Sequence, residues 1–135
     1  MRPSAGFSLL ELVITLVIAG ILAALSIPYF TDSESKTTWF YEQVKAAVRY
    51  AQRQAVAQHR LVYVCISATQ VKVGYDGLCA SDISSYRLQA PGVVSISPIG
   101  SFSFDALGRP SSGTNISLNV GGNTVTVWAE TGYVP

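Results

Sequence analysis

A long apolar run with one acid near its start constrains this chain more than any other feature. Residues 7–30 carry a single charge, Glu11. As a helix rising 1.5 Å per residue, the run would span about 36 Å, enough for the roughly 30 Å hydrocarbon core of a bilayer. A charged residue at the centre of a membrane helix costs roughly 2.5 to 3.5 kcal/mol on insertion scales, so leucine would anchor better. Glu11 therefore implies either that the segment is buried against something that answers the charge, or that it leaves lipid to meet a partner. Pro28 lies near the far end, where a helix kinks or loosens. Gly20 sits mid-run, where a missing side chain lets a second helix come close.

A secretory signal peptide has a short apolar stretch followed by a small-residue cleavage site. Here the run is too long, and the small residues that best fit cleavage, Ala5 and Gly6, precede it. A plain membrane anchor leaves Glu11 unexplained. The stretch Gly6-Phe7-Ser8-Leu9-Leu10-Glu11-Leu12-Val13 resembles the class III signal of type IV pilins and type II secretion pseudopilins. That pattern is a basic leader ending in glycine, then Phe, Ser or Thr, Leu, an aliphatic residue and Glu. The resemblance implies that prepilin peptidase cuts between Gly6 and Phe7 and methylates the new amine of Phe7. It implies that Glu11, about one turn away, pairs with the N-terminal amine of a neighbouring subunit entering a filament. Two charges that are unfavourable alone in apolar surroundings become tolerable as a pair. Pro28 stands where the family usually has its proline.

The resemblance implies an α+β type IV pilin fold, with a long N-terminal helix packed on an antiparallel β-sheet. Its parts would be a leader at 1–6, a transmembrane and assembly helix at 7–30, and a periplasmic domain at 31–135. The last is about 105 residues, enough for one modest core. Formal charge is +1, and loss of Arg2 with the leader brings the side chains to about zero. Such a balance gives no general push toward nucleic acid or acidic surfaces.

Residues 31–58 read as an amphipathic helix. Trp39, Phe40, Val44, Ala47, Val48, Ala51, Ala55 and Val56 recur mainly at spacings of three and four, with charged and amide side chains between them. With the apolar run it would make one long, kinked spine. After His59 the period changes to two. Segments 61–67, 70–75, 86–90, 93–97, 101–105, 115–120 and 123–129 read as strands, for a single sheet of six or seven. Ala68-Thr69 and Gly121-Gly122 are the expected hairpin turns, Asp76-Gly77 is a further turn, and Pro91-Gly92 and Pro98 interrupt pairing.

Three further stretches resemble the GspH/FimT group of minor pilins. They are residues 48–56, the run Phe104-Asp105-Ala106-Leu107-Gly108-Arg109-Pro110, and the ending Glu130-Thr131-Gly132-Tyr133. The bland reading of the second is a turn, with Asp105 capping, Gly108 at positive φ and Pro110 fixing the exit. The ending from Val127 to Val134 looks closest to a minor pilin of the mannose-sensitive haemagglutinin pilus. Cys65 and Cys79 would then face the oxidising periplasm, where disulfides persist. A bridge would close about 15 residues, against the alternative of two free thiols.

The resemblance implies a minor pilin that starts, or sits at the tip of, an adhesive type IV pilus. Other pilins, prepilin peptidase and the inner membrane would be its partners, with the mature protein in a filament at the cell surface. Alternatives are a type II secretion pseudopilin of the GspH type, a major pilin, and a DNA-binding minor pilin. The last would use Arg109, but family DNA binders carry a second arginine two residues on, where this chain has Ser111. Phosphate affinity grows with the number of cations in contact, so one arginine weighs against nucleic acid as a partner. A soluble binding module would require the apolar run to be discarded whole. No catalytic motif is present, and the sole histidine, His59, reads as a helix C-cap or surface residue. No enzyme activity, cofactor or metal is expected.

Overall fold

The computed structural model describes residues 7–26, 33–80, 82–92 and 94–135. The chain divides into two compact units, Met1–Ser35 and Lys36–Pro135. The first contains helix α1, Leu9–Ser26. The expected junction at Pro28 lies outside the described residues, as do Gly6 and the rest of the leader. Among the described residues no helix is long and apolar enough to cross a membrane. The 18 residues of α1 would rise about 27 Å, short of the roughly 30 Å hydrocarbon core.

Helix α2 is Ser33–Gln58, and from Lys36 onward it belongs to the second unit. Phe40, Val44, Ala47, Val48, Ala51 and Ala55 form its buried stripe. The alanines keep the helix slim along its buried stripe, and the polar residues fall outside that stripe. A left-handed residue ends the helix. His59 has φ 48°; its N–H donates to the Val56 carbonyl, and Arg60 N–H donates to the Ala55 carbonyl. These two bonds are a Schellman cap, which satisfies carbonyls the helix leaves over.

Seven strands follow: β1 Val62–Ile66, β2 Gln70–Gly74, β3 Asp82–Gln89, β4 Ile96–Ser97, β5 Gly100–Phe104, β6 Ile116–Val120 and β7 Asn123–Val127. They form two sheets rather than the single sheet expected, one ordered β3-β2-β1-β5 and one ordered β4-β6-β7, with every pairing antiparallel. Alternation along a strand states which face is apolar but not which strand lies beside it. β3 begins earlier than expected, and β4 is reduced to two residues. The tip of the β1–β2 hairpin links the sheets: the Thr69 carbonyl accepts from Ala90 N–H and the Ala68 carbonyl from Ile96 N–H. The β6–β7 hairpin turns on Gly121 and Gly122, at φ 58° and 92°, as a two-residue loop with both φ positive requires.

Val62, Val64, Val71, Val73 and Phe104 from one sheet share a core with Leu118, Val120, Val125 and Val127 from the other, under the α2 stripe. At the seam between α2 and β3, Tyr50 stacks on Tyr86 with ring centroids 3.8 Å apart.

Candidate functional site

The expected assembly residues stand at the start of α1. Ser8 immediately precedes the helix and its carbonyl accepts the Leu12 N–H. Glu11 is the acidic residue of the first turn. A carboxylate there is favoured by the partial positive charge of a helix N-terminus, and Ser8 with Glu11 has the spacing of a capping box. Local helix chemistry thus supplies one reason for an acid at this position. It supplies none for the surroundings. Phe7, Leu9, Leu10, Leu12, Val13, Ile14, Leu16, Val17, Ile18, Ile21 and Leu22 are all exposed, which leaves the helix apolar on every side. A helix of that kind is stable only when something else covers it. The Thr15 hydroxyl already donates to the Leu12 carbonyl, so it asks nothing of an apolar neighbour. At Gly20 a Cβ would meet no atom within 4 Å.

The C-terminal motifs, far apart in sequence, meet on α2. The Gln52 amide donates from Nε2 to the Gly108 carbonyl at 3.0 Å and to the Thr131 carbonyl at 2.9 Å. One turn earlier, the Arg49 guanidinium donates twice to the Val134 carbonyl, at 3.2 Å each. Gly108 and Gly132 have φ 78° and 66°, and a Cβ on Gly132 would fall on the Gly108 carbonyl oxygen. All three stretches that resemble the GspH/FimT group are therefore joined in one clamp. The reading of the sequence missed Gln52 and Arg49 because a polar residue on a half-exposed helix face looks merely solvated. Two turn glycines sharing a signature with a helix amide were the available signal.

Asp105 organises the loop that carries Arg109. Its Oδ1 accepts N–H bonds from Leu107 at 2.9 Å and Arg109 at 2.8 Å. The Arg109 guanidinium lies 3.5 Å from Oδ2. These contacts, the Arg109 N–H first, hold the Asp105 carboxyl below its ordinary pKa, although partial burial opposes them. A depressed folded-state pKa contributes stability above the unfolded value of about 3.9 and loses it as pH falls through the folded value. Replacing Asp105 by Asn keeps an acceptor but removes the titration. The variant is expected to show a flatter loss of stability below about pH 4, measured by urea denaturation across pH. Arg109 itself is half-exposed but engaged, so it is not a free cation waiting for phosphate.

Cys65 and Cys79 are joined in a disulfide, with Cα atoms 6.1 Å apart. Cys65 alternates with the inward Val64 and Ile66, so the bridge straps the 75–79 loop over the outer face of the sheet. Asp76 shapes that loop, its Oδ1 accepting from Leu78 N–H and Ala80 N–H. Replacing both cysteines by serine is expected to cost about 3 kcal/mol for a 15-residue loop. Calorimetry should then show a melting temperature lower by roughly 12 to 24 °C. Among the described residues no group of three or more His, Cys, Asp or Glu could hold a metal ion.

Comparison with known proteins gives two family matches. Residues 1–27 match the prokaryotic N-terminal methylation motif, and residues 41–129 match the type II transport protein GspH. No curated protein matches the chain. Among solved structures, the type IV minor pilin FimU of Pseudomonas aeruginosa is similar in two crystal forms. One is 15% identical, with TM-score 0.62 over 73% of this chain and 90% of that one. The other is 13% identical, with TM-score 0.61 over 76% and 88%. The α+β fold described above is thus a type IV pilin fold.

Proposed function

Because this chain belongs to the GspH family of type II transport proteins and carries the N-terminal methylation motif, we infer that it is a minor pilin-like subunit. In this reading the leader is cut between Gly6 and Phe7, and Phe7 is methylated. The helix first holds the protein in the inner membrane with residues 31–135 in the periplasm, then packs among sibling pilins in a filament at the cell surface. The observation that carries the reading is α1 itself, apolar on every described side and interrupted by one acid. In the filament Glu11 meets the N-terminal amine of an adjoining subunit, and Pro28 lets the helix bend into the packed core. No step requires a bound cofactor or an enzymatic centre.

The finer reading is a subunit that starts, or occupies the tip of, an adhesive type IV pilus. It rests on the ending Val127 to Val134, which resembles a minor pilin of the mannose-sensitive haemagglutinin pilus. The family description favours the rival, a pseudopilin that moves folded proteins across the outer membrane. Deletion of the gene separates them: lost surface filaments support the pilus, and lost exoprotein release supports the pseudopilin. A DNA-binding role gains little, since Arg109 is the only arginine of its motif and is held by Asp105. The test of the central reading is mass spectrometry of the mature N-terminus. A methylated Phe7 is the expected result, and an uncut chain or cleavage after Ala24 or Ser26 would overturn it.

A further inference from the structure

The C-terminal loop forms one wall of a groove that nothing in the clamp uses. Trp128, Tyr133, Glu130, Asn115 and Thr131 line it, around a cavity of ≈ 690 Å³. The loop is closed on itself by Trp128 N–H donating to the Tyr133 carbonyl and Gly132 N–H donating to the Trp128 carbonyl. Gln52 holds it from below through Thr131. Its two aromatic side chains are therefore displayed on a fixed backbone, at 50% and 59% exposure for Trp128 and Tyr133. The charges around it are few. Among the described residues Glu130 has no ion-pair partner. Asp105 and Arg109 line an adjoining depression that Glu130 also borders, and there they pair with each other. The groove is thus lined by two half-exposed aromatic side chains and by one carboxylate that forms no ion pair among the described residues. The Asn115 Oδ1 is occupied by Ala129 N–H.

We propose that this groove receives an arginine side chain from a neighbouring subunit of the filament. Charge complementarity selects the occupant. Ring faces attract cations, Trp most strongly, and a carboxylate beside them adds the opposite charge. Among cations the planar guanidinium fits best, since it stacks on an aromatic face while its N–H fork meets a carboxylate. That the arginine comes from a filament neighbour rests on the function proposed above; the chemistry of the groove does not.

The test uses the full chain in detergent micelles, labelled with nitrogen-15 and carrying Trp39→Phe, so that Trp128 is the one indole in the spectrum. Titration with N-acetyl-arginine methylamide should shift the Trp128 indole signal saturably. Glu130→Gln should weaken that binding about tenfold, as loss of one charge-assisted contact would. The lysine analogue should bind more weakly than the arginine probe. No saturable shift, an equal response in Glu130→Gln, an equal response to the lysine probe, or a shift produced only by a methyl glycoside would each overturn the proposal. A chain never cut after Gly6 that still binds the arginine probe would sink the filament reading and leave the groove's chemistry standing.

Discussion

A Glu11→Val protein is expected to insert and be processed normally, yet to fall by roughly a hundredfold to a few thousandfold in sheared filaments. The substitution makes α1 more apolar, so insertion does not suffer. If Glu11 pairs as proposed, incorporation does, because the incoming helix would no longer offer an anion and the adjoining N-terminal amine would be left unpaired in apolar surroundings. Removing one partner of a buried ion pair costs roughly 3 to 5 kcal/mol, and each 1.4 kcal/mol is tenfold in an equilibrium. Immunoblots of sheared and membrane fractions measure the ratio directly. Equal ratios for the variant and the parent protein would remove Glu11 from assembly and leave it only its place in the first turn of α1.

Gly132→Ala is expected to be the most damaging small substitution in the folded domain, at about 4 kcal/mol. Two costs add. A side chain at φ 66° pays the left-handed penalty of roughly 1 to 2 kcal/mol. The new methyl also lands on the Gly108 carbonyl oxygen and lies 2.7 Å from Gln52 Nε2. Backbone must therefore move, and overpacking of this kind costs typically 1 to 3 kcal/mol. Denaturant unfolding should show the midpoint falling with an unchanged slope. An unfolding free energy within a few tenths of a kcal/mol of the parent would mean that the clamp bears no weight. Gln52→Ala should cost less, about 2 kcal/mol, since two carbonyls lose one shared donor.

Much of this architecture could be read from the residues alone, and the exceptions have physical reasons. The α2 stripe was legible because Phe40, Val44, Ala47, Val48, Ala51 and Ala55 repeat at helical spacing and are buried, whereas Trp39 and Val56, expected in the same stripe, are exposed at its edges. The two-residue hairpin at Gly121-Gly122 was legible because only glycine is comfortable there. The division into two sheets was not legible, since β5 and β6 alternate equally well whether or not they pair. β3 starts at Asp82 among residues with little strand preference, so its first half carried no pattern. The clamp was least legible of all: Gln52 finds partners 56 and 79 residues away, and no local spacing encodes that. Arg109 was read as a lone cation, but its neighbour Asp105 both orders the loop and answers the charge.

The Arg49 and Gln52 contacts also have a mechanical meaning. They tie the last strand's exit and the final residues to the middle of the same helix that begins the domain. Tension arriving along α2 would therefore be shared at once with the far end of the polypeptide, and the two sheets would be loaded together instead of being peeled strand by strand. Within this unit that sharing depends on one guanidinium and one carboxamide.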